Sequence, residues 1–242
     1  ISDPVTTNDT VCGGGSLTLT ASGPGTLTWY TDPTGGSIVT TGTSYTFSAT
    51  ATTTYYVEAF AGTEYHVGPS TSGFGNQQST VSNNWGMAFD VIRPVTIDVV
   101  YVYPNSSGTL TINLRQTLGG SILATYTQPV TAFTGKTAIP IGFSVPVGTG
   151  YRLEVESGGP SLLQNNSGAV YPYTVANGPL SITGYFNPNY TVGVAYLWLY
   201  DWVVSEGCRS NRIPAVAVVN PFPAIPVITQ NWNVLSSSSP VG

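Results

Sequence analysis

Ile213-Pro214-Ala215-Val216-Ala217-Val218-Val219 is an apolar, β-branched run set between Gly207-Cys208 and the Pro221-Phe222-Pro223 breaker. It reads as a single strand, and one strand cannot fold alone. Far upstream, Leu17, Leu19 and Ala21 share one face of a strand, and Leu27 and Trp29 mark a second after the Ser22-Gly23-Pro24-Gly25 turn. A third passes through Tyr45 and Phe47, and Thr53 to Phe60 is β-branched and aromatic throughout. Those strands make most of a small sandwich that lacks its last member. The run at 213–219 is expected to supply it by pairing near 54–60, which makes the residues between an insertion at a loop tip.

The insertion has a pattern of its own. From Gly68 to Val81 the chain turns to Gly, Ser, Thr, Asn and Gln, and longer alternations follow. Ile97, Val99, Tyr101 and Tyr103 share a face, as do Leu110, Ile112 and Leu114, then Ile139 to Val147, then Tyr151, Leu153 and Val155. Runs at 171–175, 180–186 and 194–204 bring the block to about eight strands, enough for a jelly-roll-like sandwich. Helix signals are nearly absent, so the fold class expected is all-β: a discontinuous Ig-like β-sandwich with an inserted jelly-roll-like β-sandwich. The expected units are 1–66 with 204–222, then 67–203, and last 223–242 as a linker and the first strand of a following module. An alternating tail with no partner is an association hazard, so its other reading is a strand donated to a neighbouring copy.

Composition bounds the function. Charged residues make up 7% of the chain against roughly 25% in an average soluble protein, and 6 basic against 11 acidic residues give a net charge of -5. No basic footprint exists for a phosphate backbone, which excludes nucleic acid as a partner. Pro, Asn and Gly interrupt every apolar run well short of a membrane span. Solubility carried by hydroxyls and amides points outside the cell, and a start at Ile1 without Met reads as part of something longer.

Cys12 and Cys208 flank the first strand of the small sandwich and its proposed last one, and that placement argues for a disulfide stapling the discontinuous halves. The alternative is two unrelated buried thiols. Two cysteines and one histidine make no closed zinc site, and neither metal nor cofactor is expected. His66 is the sole histidine and reads as a surface-loop residue at the junction, with no triad to be built around it. Arg152, Glu154 and Glu156 alternate on one strand face. They are open to two readings, a carboxylate pair for glycoside hydrolysis or calcium, and a solvent-facing ladder opposite Tyr151, Leu153 and Val155. Trp85, Tyr126, Tyr171, Tyr173 and Tyr185 are candidates for stacking sugar rings, with core or sheet-surface packing as the competing role.

Three motifs in this order carry a resemblance: Cys12-Gly13-Gly14-Gly15-Ser16-Leu17, then Trp29-Tyr30 with Thr54-Tyr55-Tyr56-Val57-Glu58-Ala59, and finally Gly207-Cys208-Arg209-Ser210-Asn211-Arg212-Ile213-Pro214. Residues 3–60 and 205–220 resemble the immunoglobulin-like modules of Bacteroidota surface proteins, the repeats of gliding-motility adhesins and other type IX secretion cargo. The resemblance implies that the two cysteines pair. Asp9-Thr10-Val11 resembles a Bacteroidota O-glycosylation acceptor, which makes Thr10 a candidate. The long insertion departs from the family pattern. The function implied is a non-catalytic structural or adhesive module of a secreted cell-surface repeat protein. Its partners would be neighbouring modules of the same chain and a polysaccharide or another surface protein. The alternatives are a carbohydrate-binding module of a secreted hydrolase and a strand-donating fibre subunit.

Overall fold

Alternation of Ser and Thr with Leu and Ala is what makes the first strands, and it holds along the chain. The structure, a computed structural model, describes residues 1–187 and 189–223; the expected following-module strand lies outside the described residues. Every regular element among them is a strand. The first seven are β1 (Val5–Thr7), β2 (Asp9–Cys12), β3 (Gly15–Ser22), β4 (Thr26–Tyr30), β5 (Ile38–Thr41), β6 (Ser44–Ala49) and β7 (Thr53–Val67). Next come β8 (Gln77–Thr80), β9 (Trp85–Val91), β10 (Val95–Val102), β11 (Gly108–Arg115), β12 (Ile122–Val130), β13 (Thr137–Ile139) and β14 (Phe143–Val145). The last are β15 (Gly148–Val155), β16 (Leu162–Asn165), β17 (Leu180–Phe186), β18 (Tyr190–Thr191), β19 (Tyr200–Arg209) and β20 (Ile213–Asn220).

Two hydrophobic cores result. The first gathers Leu17, Leu19 and Ala21 of β3, Leu27 and Trp29 of β4, Val57 and Ala59 of β7, and Ala215 and Ala217 of β20. Trp29 is fully buried, and its indole N–H donates to the Gly42 carbonyl at 2.9 Å, which removes the cost of burying that donor. β20 pairs antiparallel with β7, Ile213 opposite Val57 and Ala217 opposite Thr53, so the isolated run does complete the first sandwich.

The second core lies between a six-stranded sheet, β12-β11-β15-β9-β17-β18, and a layer of β13 and β14 against β10, then β19 and β7. Trp198, Trp202, Tyr196, Tyr200 and Phe89 fill it together with aliphatic side chains. The single alternation expected over 139–147 is interrupted. Ile139 and Phe143 fall on separate strands, with Gly142 between them at φ 58, although Ile139, Ile141, Phe143 and Val145 are all buried. The expected strand at 171–175 is a loop touching the sheet only through a Tyr173–Ile182 bridge, because Pro172 supplies no ladder donor.

The junction departs most from expectation. β7 does not stop near residue 60: its first half pairs with β4 and β20, and Phe60 to Val67 pair antiparallel with Arg209 to Trp202 of β19. β19 pairs on its other side with β10. Two antiparallel strands therefore run through both cores as one sheet, where loops were expected. Gly62 faces Gly207 at the crossing, and a Cβ on Gly62 would lie 2.1 Å from the Glu206 carbonyl oxygen.

The expected disulfide is absent. Cys12 and Cys208 are exposed free thiols. Cys12 lies opposite Asn220 at the far end of β20, and Cys208 lies opposite Ala61 beside the second core. At ~3.3 Å per residue along β7 and β20 the two are on the order of 30 Å apart, far beyond the ~7 Å a disulfide spans. Proximity to the same two sequence elements did not mean proximity in space, because the elements concerned are long and the cysteines mark opposite ends.

Candidate functional site

Three surfaces hold most of the chain's few charges. At the junction, Arg209 on β19 donates from one guanidinium nitrogen to Glu58 of the first core (2.7 Å) and from the other to Asp98 of the second (2.8 Å). Its guanidinium stands 4.5 Å from the Phe60 ring centre, and that of Arg212 lies 3.4 Å from the centre of Tyr30. Burial opposes the charge on Arg209, but Asp98 and Glu58 outweigh it and hold its pKa above the ordinary arginine value. Burial pushes the Asp98 carboxyl up despite its bonds to Ser205 and Arg209. Arg93 adds a two-pronged pair with Glu206, at 2.6 and 2.8 Å. Beside these pairs a cleft of about 370 Å³ is lined by Pro94, Thr96, Ser144, Pro146, Ser205 and Gly207, among others.

Farther along the same sheet face, His66 sits on β7 opposite Val203, not in a loop. Its Nδ1 is 2.8 Å from Asp201 Oδ1, and Lys136 Nζ donates to Asp201 Oδ2 at 2.5 Å. Burial works against ionised Asp201, yet Lys136 and His66 outweigh it and hold its pKa below the usual 3.8. Among the described residues no hydroxyl or thiol hydrogen-bonds to His66, so the His-Asp pair has no nucleophile in reach. Asp201 was not singled out in the sequence, although one acid in the run Tyr196 to Val204 was a visible signal.

The third surface is the outer face of the six-stranded sheet. Leu153, Met87 and Leu114 pair in one row and point into the core, which sends Glu154, Gly86 and Asn113 outward in the next, continued by Phe186 and Tyr190. Arg152, Ala88 and Gly184 form a further outward row. Of the outward residues of β9, Gly86 and Ala88 offer only a hydrogen and a methyl and Asp90 accepts from the Gly150 N–H at 2.7 Å, while Arg152 donates to the Gly150 and Tyr151 carbonyls at 2.8 and 2.9 Å. Its guanidinium reaches the rings of Phe186 (5.6 Å) and Tyr190 (5.3 Å). The ladder expected to face solvent is thus largely covered: Arg152 is 8% exposed and Glu154 4%, while Glu156 alone is exposed. Arg115 Nε donates to Glu154 Oε2 at 3.0 Å, whereas Glu154 Oε1 and Arg152 Nε are buried without a partner. Burial pulls the Arg152 pKa below the ordinary value.

The candidate stacking rings do not form one exposed platform. Trp85 and Tyr126 occupy the inward row through Val155 and Ile112, packed against the rim of the second core. Tyr171, Tyr173 and Tyr185 are brought together, but as half-buried members of a cluster with Tyr196 and Tyr200. Burial raises the phenol pKa values of Tyr171, Tyr196 and Tyr200. Tyr185 is turned inward by the period of β17, and Tyr171 and Tyr173 by the packing of their loop against it, which the aromatic composition alone did not reveal. Thr10 is exposed on β2, opposite Val218 of β20.

Residues 2–68 match the sequence profile of a family described as "Ig-like domain CHU_C associated". Residues 2–68, which supply most of the first core, are therefore similar to an Ig-like domain. The match ends where β7 ends, so the remaining strands of this module, β20 among them, are reached only after the whole second core has been built. Comparison with curated proteins and with solved structures returned no match. Among the described residues, no helix is long and apolar enough to cross a membrane, and no cluster of three or more His, Cys, Asp or Glu side chains is spaced to hold a metal ion.

Proposed function

We propose that this chain is a non-catalytic module of a large, secreted, cell-surface repeat protein, in which the Ig-like module is a stalk unit and the second core a head presented for adhesion. The division is between 1–66 with 204–222 and the inserted 67–203, with the boundary running along the shared strands. One observation carries the reading. β7 and β19 cross from one core to the other as paired antiparallel strands, locked by Arg209 between Glu58 and Asp98, a connection stiffer than two loops.

The path of the chain supports it. Asp3 accepts hydrogen bonds from Asn211 near the junction, so the chain enters the Ig-like module at the end nearest the second core. β20 runs antiparallel to β7 and carries the chain away to the opposite pole, which leaves the second core projecting outside a string of modules. Adhesion, the secretion route and the extracellular location are the finer parts of this proposal, and they draw on the Bacteroidota character of Ig-like modules of this kind.

Antibody raised against the folded chain and selected for binding to the second core tests the reading on unpermeabilised producing cells. Surface labelling is expected, and Fab fragments of that antibody should reduce attachment of the cells to a solid support. Unlabelled intact cells, or attachment unchanged under saturating Fab, would contradict it.

A further inference from the structure

The first sandwich is unevenly covered. A sheet of three strands, β1-β3-β6, faces five in the order β5-β4-β7-β20-β2. Tyr45 and Phe47 of β6 lie opposite Leu19 and Leu17 and so point inward. There Tyr45 meets Trp29 of β4, with ring centres 6.2 Å apart, and both meet Tyr55 of β7 at 4.9 Å. β6 thus lies over β7 and β4, which leaves β5 beyond its edge with Ile38 exposed and Val39 half-buried. Among the described residues β6 has no strand partner on that side. The flank joins an unpaired strand edge to an apolar wall of Tyr45, Phe47, Tyr55 and Val39, all of them only partly buried. An edge of this kind pairs readily with another strand.

The chain itself supplies a strand within reach. It leaves β20 at the pole of the first sandwich, where the Gly13 N–H donates to the Asn220 carbonyl at 2.7 Å and the Phe222 ring fills the space a side chain on Gly13 would need. One residue on, a Cβ added to Gly14 would lie 3.0 Å from the Ala49 carbonyl oxygen, so the exit stands beside the end of β6. β20 packs across from β3. Passing from there to the far side of β6 takes two strand spacings of about 4.8 Å and one sheet spacing of about 10 Å, roughly 14 Å in all, and the five residues 223–227 span about 16 Å. Residues 227–234, Val-Ile-Thr-Gln-Asn-Trp-Asn-Val, contain no Gly, Pro or charge. Ile228, Trp232 and Val234 share one strand face with Gln230, while Val227, Thr229, Asn231 and Asn233 share the other. β6 alternates in the same way, with Tyr45, Phe47 and Ala49 facing in and Ser44, Thr46 and Ser48 facing out. A chain that turns back at this pole runs antiparallel to β6, which ends there.

We propose that residues 227–234 add antiparallel to the free edge of β6 as the fourth strand of its sheet, with Ile228, Trp232 and Val234 closing over Tyr45, Phe47 and Val39. The parity of the pairing follows from the two alternations, because a slip of one residue would set Asn231 and Asn233 against the rings and leave Trp232 in water. The segment then completes the first sandwich in place of opening a further module, and it covers both the unpaired edge and the half-exposed rings. The pairing is independent of the reading of the second core as a head for adhesion.

The test uses the full chain carrying Cys12→Ser and Cys208→Ser. Thr46→Cys, on the exposed outer face of β6, is combined in turn with Thr229→Cys, Asn231→Cys and Asn233→Cys, and with Gln230→Cys as the wrong face, and each pair is exposed to oxidised glutathione. One of the three odd-numbered positions should close a disulfide within a single chain about tenfold faster than Gln230→Cys, at a rate independent of protein concentration, since only same-face neighbours bring their Cβ atoms together. In the chain with Thr46 intact, Trp232→Ser should speed hydrogen exchange of the β6 amides about tenfold and leave β11 unchanged, whereas Trp232→Phe should stay within about threefold of the unsubstituted chain. No closure from any odd-numbered position, closure from Gln230→Cys at an equal rate, bridges formed only between chains, or β6 exchange unmoved by Trp232→Ser would overturn the proposal. The first of those outcomes would return the segment to a module of its own, and the third to a strand donated to a neighbouring copy.

Discussion

The two cores are built from different amounts of material. The first buries one tryptophan, three leucines, one valine and four alanines, with Tyr45, Phe47 and Tyr55 in ring contact at its edge. The second is packed with Trp198, Trp202, Tyr196, Tyr200 and Phe89 besides a large aliphatic set. Burial supplies the main favourable term in folding, so the second core is expected to be the more stable of the two. β19 belongs to the second core through Trp202 and Val204, and it also templates the half of β7 that leads back into the first. The difference leads to the expectation that the first core depends on β19 for part of its stability, because the half of β7 that leads into it pairs there.

Substitutions that remove a tryptophan should separate the two most sharply. Trp202→Ala is expected to cost about 4 kcal/mol and to lower hydrogen-exchange protection in both cores, because β19 serves both. Trp29→Ala should cost a similar amount locally, yet strip protection only from β3, β4 and β20. Protection lost from the second core as well would break the asymmetry.

Arg209→Met acts on the coupling itself. It leaves Glu58 with the longer Arg212 contact and Asp98 with no cationic partner, a loss of roughly 3 kcal/mol for a pair of this burial. Scanning calorimetry should then resolve two transitions, the lower one belonging to the first core. A single transition at reduced temperature would show that the shared strands couple the cores without the ion pairs.

Acid should sharpen the comparison more gently. The Asp201 and Glu206 carboxyls are held below their ordinary values of 3.8 and 4.5, the first by Lys136 and His66 against the cost of burial, the second chiefly by Arg93. Both release protons more readily folded than unfolded. Their stabilisation is complete above the unfolded values and is lost as pH falls through the folded ones. Asp98, raised by burial, works in the opposite sense over its own range. Melting temperature should therefore drop between about pH 5 and 3, and Asp201→Asn should flatten that drop. An unchanged profile in the variant would remove Asp201 from the account.

The smallest effect is expected at the thiols. Cys12→Ser should change stability by under about 0.5 kcal/mol, as exposed positions do, and thiol titration of the unreduced native chain should find two reactive groups. A chain with none would restore the bridge.

These contrasts also mark what could be read in the sequence. The pairing of 213–219 with the strand near 57 was legible, because an orphan run and a sandwich short of one strand leave few solutions. The continuity of β7 was not. Glu58 to His66 mixes Gly62, Thr63 and Glu64 into the run, and its partner on β19 lies more than a hundred residues away. The outer-face cluster was half legible. Arg152 and Glu154 were correctly placed on one face, but their burial depends on Gly86, Ala88 and Gly184 in neighbouring strands, whose register no local pattern fixes. The cysteines were misread because order along the chain says which elements are close and not which ends of them.

The central claim, that shared strands hold the second core stiffly off the Ig-like module, is tested most directly by a spin–spin distance measurement across the junction. One nitroxide is placed on the native Cys12 and the other on Ser157→Cys, at the exposed end of β15 remote from the junction, in a Cys208→Ser background. The account predicts a single narrow distance distribution, unchanged by added salt up to 0.5 M apart from a small broadening, since hydrogen-bonded strands and not exposed charges carry the stiffness. A broad or two-peaked distribution, as two loops would give, would contradict it.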